Sequence, residues 1–589
     1  MAAGLPLLAV TMLRIRLIVA TLLALTVVAS GAVAGPAEEK FDKLVREAVK
    51  RGAQVQRVII RANTGKRGAI RQLLQACGVT IREEFASIDA VVADVPPSCL
   101  QRVLADSDSI GADPLVTNTQ VSADPQAAID DPQAAIVPTE SVTWASSAPY
   151  TLRDTLGVAP YSTGVGVGVA IIDSGIAPVP GLAGRITAFY DFTNGGLVET
   201  APHDGFGHGT HVAGLIGGDD QNYMGVAPGV HFVGLRVLGD DGTGYTSDVI
   251  RALEFVAANR AQLNVHVVNL SLGHPILAPA ADDPLVQAVE SAVRAGLIVT
   301  VSAGNFGTNP ITGQVGYAGI SSPGNAPSAI TSGAADTKRT TNRSDDSVTS
   351  YSSRGPSWYD GFAKPDVLAP GHKLVSLTDP SSYLYQTYPQ FRVDVGGQSY
   401  LTLSGTSMAS AVTAGVVATV LEAHQWYAWG APEQLSPTAV KAMLEYSAVP
   451  VIGSNGTSVD ALTQGTGEIN AEGAGRIGST IGWLASAAVD PYMGPVDPAM
   501  LLDPTFLWPA SFIGDESHDW ASRIIWGPQI IAATNIVWAT NIVWGDNIVW
   551  GENIVWGDNI VWGENIVWGD SHGSVGRPSS PRKNTRTTR

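Results

Sequence analysis

Three short segments carry side chains that could do chemistry together. Ile171-Ile172-Asp173-Ser174-Gly175 ends an apolar run in a carboxylate. His208-Gly209-Thr210-His211-Val212-Ala213-Gly214 places an imidazole at the head of a small-residue helix. Gly405-Thr406-Ser407-Met408-Ala409-Ser410 places a hydroxyl at the start of an apolar helix that runs through Val420. A serine hydroxyl is too weak an acid to attack an amide at neutral pH. It needs an imidazole that takes its proton and later delivers it to the leaving amine. The imidazole needs a carboxylate that fixes its tautomer and stabilises the imidazolium. Taken singly, each segment has a plainer reading: Asp-Ser-Gly as a turn, His208 as a helix-capping residue with His211 as its competitor, and Ser407 as an N-cap.

Residues so far apart in sequence meet only if the fold brings them together. Val165 to Ile172 reads as a continuous apolar strand ending at Asp173. Asp248 to Asn259 and Leu285 to Ala295 have helical spacing, and Val265 to Leu270 and Leu297 to Ser302 read as buried strands. Apolar strands alternating with helices predict a parallel α/β sheet covered on both faces. The strand ends of such a sheet open on one crevice, where distant residues converge. The helix beginning at Ser407 also aims its first amides at developing negative charge.

The order Asp, His, Ser along the chain is that of subtilisin. Asp173-Ser-Gly, His208-Gly-Thr-His-Val-Ala-Gly and Gly405-Thr-Ser-Met-Ala resemble the three active-site motifs of the subtilisin-like serine proteases. Tyr351-Ser-Ser-Arg-Gly-Pro356 and Lys364-Pro-Asp-Val-Leu-Ala-Pro-Gly371 are similar to further blocks of that family, and the likeness extends over about residues 35 to 485. The resemblance implies a subtilisin-like parallel sheet with helices on both faces. It implies a serine endopeptidase with Ser407 as nucleophile, His208 as general base and then acid, Asp173 as orienting carboxylate and Asn305 as oxyanion donor. Ser271, Leu272, Gly273, Ala303 and Gly304 would line the groove for the substrate backbone. No organic cofactor is implied; structural calcium is common in the family, and no ligands are assigned here. Where the family usually continues the serine motif with Pro and His, this chain has Ala411 and Val412. That departure touches helix packing and turnover, not the reaction class.

Around this catalytic domain, placed at 149–485, the chain divides into smaller parts. Arg14 and Arg16 followed by the apolar run Leu17 to Ala29 and Ala32-Val33-Ala34 read as an export signal over residues 1–34, with Met12 as a second possible start. Residues 35–120 show the helix and strand order of a small α+β layer, and by resemblance form a ferredoxin-like inhibitory prodomain. Cys77 and Cys99 both lie there; an exported chain could bridge them, or both could be buried thiols. Residues 121–148 read as a linker with the processing site, since Asp-Pro-Gln-Ala-Ala-Ile occurs at 124 and again at 131. Residues 486–533 are Pro-rich and read as an irregular linker. Asn-Ile-Val-Trp then recurs every six residues from Asn535 to Asn565, giving a repeat segment at 534–570, and a basic tail occupies 571–589.

Composition narrows the partners. The 589 residues carry 35 Lys and Arg against 53 Asp and Glu, a net charge of -18, which argues against nucleic acid. Two cysteines exclude a disulfide-rich scaffold. The expected partners are polypeptide substrates and the chain's own prodomain. Three readings of the Trp repeats stand: contact with a cell surface, partner or export machinery; a loosely ordered tail; or a strand packed on the catalytic domain. The rival to a secreted, self-processing enzyme is a catalytically inactive protein that uses those repeats to bind a surface or partner. Intact Asp173, His208, Ser407 and Asn305 speak against it.

Overall fold

A computed structural model of the chain describes residues 40–53, 55–117, 152–308, 314–428, 435–489, 508–526, 529–532, 536–537 and 554–555. The export signal, the linker at 121–148, most of the repeats and the basic tail lie outside the described residues. The chain forms two compact units, Met1–Ala112 and Asp113–Arg589.

In the first unit α1 (Lys43–Lys50) precedes β1 (Gln56–Ala62), α2 (Arg67–Ala76), β2 (Ile81–Phe85), β3 (Ala90–Val95), α3 (Pro97–Val103) and β4 (Ser107–Ala112). The strands make one sheet in the order β2-β3-β1-β4. Val58, Ile60, Val91, Ala93 and Val95 point to one face, the period-two alternation of a half-covered strand, and meet Val45, Ile70, Leu74, Leu100 and Val103 from the helices. Cys77, which ends α2, is bonded to Cys99 of α3, so the bridge is the alternative realised. The unit ends before residue 120 because β5 (Leu115–Thr117) pairs within the second unit.

The second unit is built on a sheet with seven parallel strands. In chain order they are β6 (Gly168–Asp173), β7 (Ile186–Asp191), β8 (His231–Arg236), β10 (Val267–Leu270), β11 (Ile298–Ser302), β12 (Ile330–Asp336) and β13 (Val367–Pro370), with β9 (Thr243–Tyr245) lying apart. Across the sheet the order is β7-β8-β6-β10-β11-β12-β13, all adjacent pairs parallel. Short strands at Val198–Glu199 and Ser347–Val348 add antiparallel pairs. β6 is buried along its whole length, the pattern of a parallel strand covered on both faces. The helices in use below are α4 (His208–Gly217), α5 (Thr246–Asn259), α6 (Pro284–Arg294), α7 (Thr406–Tyr427), α8 (Pro437–Ser447) and α9 (Ala471–Val489). α7 is long and apolar enough to cross a membrane, but nearly all of its most apolar stretch is buried inside the protein, as in a core helix. Ala411 and Val412, where the family usually has Pro and His, are both fully buried in its packing.

The expectation of an irregular linker at 486–533 is corrected over its second half. Ala510–Ile513 pairs with Glu516–Asp519, and Arg523–Trp526 pairs with Gln529–Ala532, each as an antiparallel hairpin. Trp520 and Ile524 belong to the main hydrophobic core. Ala521 N–H donates to Ala448 O, Ser522 N–H to Tyr446 O, and the Arg523 guanidinium to Gly465 O and Thr466 O. The strands are four residues long and follow a Pro-rich stretch, so their alternation is too short to stand out. Their phase is informative. Ile524 and Ile530 fall twelve and six residues before Ile536, in step with Ile542, Ile548, Ile554, Ile560 and Ile566. The docked strand Arg523–Trp526 is therefore the first, degenerate copy of the repeat.

Candidate active site

Asp173 is the last residue of β6 and His208 the first of α4, and both side chains are fully buried. The His208 Nδ1 lies 2.8 Å from Asp173 Oδ1 and 2.9 Å from Oδ2. Ser174 N–H donates to the same Oδ1 at 2.7 Å. A carboxylate that receives the Nδ1–H leaves the Nε2 lone pair to act as base. Nε2 is buried and has no hydrogen-bond partner. Two glycines allow this approach. Gly207 turns into the helix at φ 101°, a left-handed conformation costly for other residues. A Cβ on Gly209 would stand 2.1 Å from Gly175 O and 3.2 Å from Asp173 Cβ, so only Gly lets α4 come this close to the end of β6.

Ser407 is the second residue of α7 and is buried. Its Oγ donates to Ser271 O at 3.3 Å, so the hydroxyl rests on the groove backbone, and the hydrogen bond to His208 Nε2 is not formed. Catalytic hydrogen bonds of this kind commonly tighten only once substrate is bound. The main chain at Ser407 is fixed from behind. Ser271 Oγ donates to Ser407 O at 3.0 Å and accepts from Asn269 Nδ2 at 2.9 Å, while Ser410 Oγ and Thr300 Oγ1 donate to Asn269 Oδ1. Asn305 Oδ1 accepts from Thr406 N–H at 3.0 Å and from Thr406 Oγ1 at 3.1 Å. Those bonds identify the carbonyl end of the Asn305 amide and hold the group beside the residue that precedes Ser407.

Of the five groove residues, Gly273 has an extended segment seated on it. Thr117 N–H donates to Gly273 O at 3.2 Å, and Gly273 N–H donates to Thr117 O at 3.0 Å. On its other side β5 pairs antiparallel with β9, Val116 opposite Gly244, and the Val116 side chain is fully buried. Just upstream, Asp113 accepts from Ser247 N–H and Oγ at the start of α5, and Pro114 O accepts from Thr246. Leu272 is fully buried. Ala303 is bonded to Ser332 O and Ser321 N–H, and Gly304 N–H donates to Thr406 Oγ1 at 3.1 Å.

His211, the competitor of His208, is excluded by its surroundings. Its Nε2 donates to Leu374 O and Leu401 O, and burial pushes its pKa down to about 3, so it is a neutral structural residue. Asp204 was missed by the sequence reading. It lies four residues before His208, is buried, and accepts four hydrogen bonds from the segments that carry Asp173 and His208. Burial pushes its carboxyl above the usual range. Among the described residues no group of three or more His, Cys, Asp or Glu side chains is gathered in a way that could hold a metal ion.

Residues 164–475 match the Subtilase family of peptidases. The chain is 35% identical over 405 residues to serine protease AprX of Bacillus subtilis, covering 67% of this chain and 80% of that protein. It is 34% identical over 316 residues to subtilisin BL of Lederbergia lenta, covering 53% of this chain and 92% of that protein. Among solved structures it is similar in fold to fervidolysin of Fervidobacterium pennivorans, a keratinolytic enzyme related to subtilisin. That likeness has a TM-score of 0.54 at 20% identity, over 74% of this chain and 62% of the other.

Proposed function

The chain belongs to the subtilase family and is a serine endopeptidase of the subtilisin type, and from that premise we propose that it is exported as a zymogen and cuts itself with Ser407. In this reading Ser407 Oγ attacks the scissile carbonyl while His208 Nε2 takes its proton. His208 then gives that proton to the leaving amine, and a water deprotonated by His208 hydrolyses the acyl-enzyme. Asp173 holds the imidazole in the Nδ1–H tautomer throughout. The Asn305 amide and the Ser407 N–H stabilise the oxyanion.

The observation that carries the self-processing reading is the seating of β5 on the groove. Thr117 pairs antiparallel with Gly273. Ser271, whose carbonyl holds the Ser407 hydroxyl, precedes Gly273 by two residues, as Thr119 follows Thr117 by two. Self-cleavage therefore falls after Thr119, just ahead of the linker in which the sequence reading places the processing site. The helix-capping contact of Asp113 and the buried Val116 side chain hold the segment Leu115–Thr117 beside Gly273. Arg14, Arg16 and the apolar run behind them support export. The Trp repeats serve contact with a surface or with the export machinery and not the chemistry, since every proposed catalytic residue precedes Ala485.

The test is to express the parent and Ser407→Ala in a host lacking extracellular proteases and to compare intact mass and N-terminal sequence. The parent is expected to begin at Gln120, and Ser407→Ala to keep residues 35–119 attached. Cleavage of Ser407→Ala at the parent's bond would assign processing to another protease.

A further inference from the structure

The mechanism above leaves unused a second buried carboxylate behind the pair of Asp173 and His208. The geometry points to Asp204 as the positioning residue that sets their separation. Its Oδ1 accepts from Ser174 Oγ at 2.9 Å and from Gly207 N–H at 2.7 Å. Its Oδ2 accepts from Thr210 N–H at 2.8 Å and from Thr210 Oγ1 at 2.6 Å. Ser174 directly follows Asp173, and Gly207 and Thr210 bracket His208. One carboxylate thus ties the end of β6 to the start of α4.

Both hydroxyls extend the tie in the opposite direction. Ser174 Oγ accepts from Gly209 N–H at 3.0 Å, and Thr210 Oγ1 accepts from Ala177 N–H at 2.9 Å. The two segments are cross-linked in both directions around the Asp173–His208 bond.

The chemistry requires Asp at this position. Each carboxylate oxygen receives one backbone N–H, from Gly207 and from Thr210, and a backbone N–H cannot reverse its role. Asn has a single acceptor oxygen, so either orientation of its amide sets NH2 against a backbone N–H. The side chain is inside the protein, where an unmet donor is not rescued by water. The expected result is displacement of the His208 ring relative to Asp173, and misplacement on the scale of an ångström costs about 10²-fold in rate.

This inference rests on Asp173 and His208 being the orienting pair. The test uses the full chain, allowed to process, with a chromogenic peptide substrate. Asp204→Asn is expected to lower kcat by about 10- to 100-fold with KM within about twofold. It is also expected to shift or broaden the low-field proton resonance of the His208 Nδ1–H. A folded Asp204→Asn with parental kcat, or with kcat unchanged and KM raised, overturns the assignment. If Asp204→Asn does not fold, Ser174→Ala decides: a lower kcat at constant KM supports the tie, and parental kinetics overturn it. His208→Ala separates the two levels. Full activity in His208→Ala sinks the catalytic reading itself, whereas an inactive His208→Ala beside a normal Asp204→Asn sinks only the role of Asp204.

Discussion

Ending the chain after Leu507 is expected to abolish the folded catalytic unit, whereas ending it after Ala532 is expected to leave peptide hydrolysis intact. The two products differ by the docked hairpins. Ile513, Trp520, Ile524 and Ile525 are each at most 5% exposed. At about 1.5–3 kcal/mol for each large apolar side chain fully buried, four contribute roughly 6–12 kcal/mol. A whole domain is stable by only about 5–15 kcal/mol. Polar losses add to this. The Trp520 indole N–H donates to Ser511 Oγ, and its ring carries the Arg476 guanidinium at 5.0 Å and meets Tyr446 edge-on. Ile525 N–H is the backbone donor to Glu445, a carboxylate buried with Lys441, Lys364 and Asp366. Without that donor a buried acid loses a partner in a cluster where unmet charge is expensive. The assay is secreted yield, thermal unfolding and hydrolysis of a small peptide for both truncations, with Trp520→Ala in the full chain as a milder perturbation worth about 3–5 kcal/mol. A product ending at Leu507 that melts with the parent and hydrolyses peptide at the parental rate would refute the reasoning.

Two further outcomes are expected. Asn305→Ala should lower kcat by about 10²–10³ with KM nearly unchanged, because the donor serves the oxyanion and not the ground state; steady-state kinetics equal to the parent's would remove Asn305 from that role. His211 gives a pH dependence of defined sign. Its folded pKa is about 3 against an ordinary 6.5, so the unfolded chain takes up a proton that the folded one refuses. The resulting stability is complete above pH 6.5 and is lost as the pH falls towards 3, to the extent of roughly 5 kcal/mol. His211→Gln keeps a donor for Leu374 O and Leu401 O without titrating, so urea unfolding across this window should be less steep in pH than for the parent; equal slopes would count against the assignment.

Much of the site is legible in the sequence because it lies where regular elements begin and end. Asp173 closes an apolar strand, and His208 and Ser407 open helices, so pattern and chemistry coincide. What stayed hidden depends on contacts with no period. Asp204 sits in a loop, and only the fold shows that its four donors come from both sides of the Asp173–His208 pair. The register of Leu115–Thr117 on the groove is set by Gly273, more than 150 residues away. Lys441 and Glu445, four apart on α8, are both buried, and Asp366 and the backbone carbonyls of Pro327 and Ala329 receive the Lys441 ammonium. The docked hairpins were obscured by strands of four residues, each too short for alternation to separate from chance.

The docking of the first hexad has a genetic consequence. A six-residue unit is eighteen nucleotides, a whole number of codons, so slippage in the gene adds or removes complete copies without shifting the reading frame. The core interlocks with Arg523–Trp526, which pairs in turn with Gln529–Ala532, whereas Ile536–Val537 pairs with Ile554–Val555. Gains and losses beyond Ala532 therefore leave the enzyme's fold untouched. Related strains can differ in the number of Trp repeats while the protease stays the same, and selection on tail length can proceed independently of selection on catalysis.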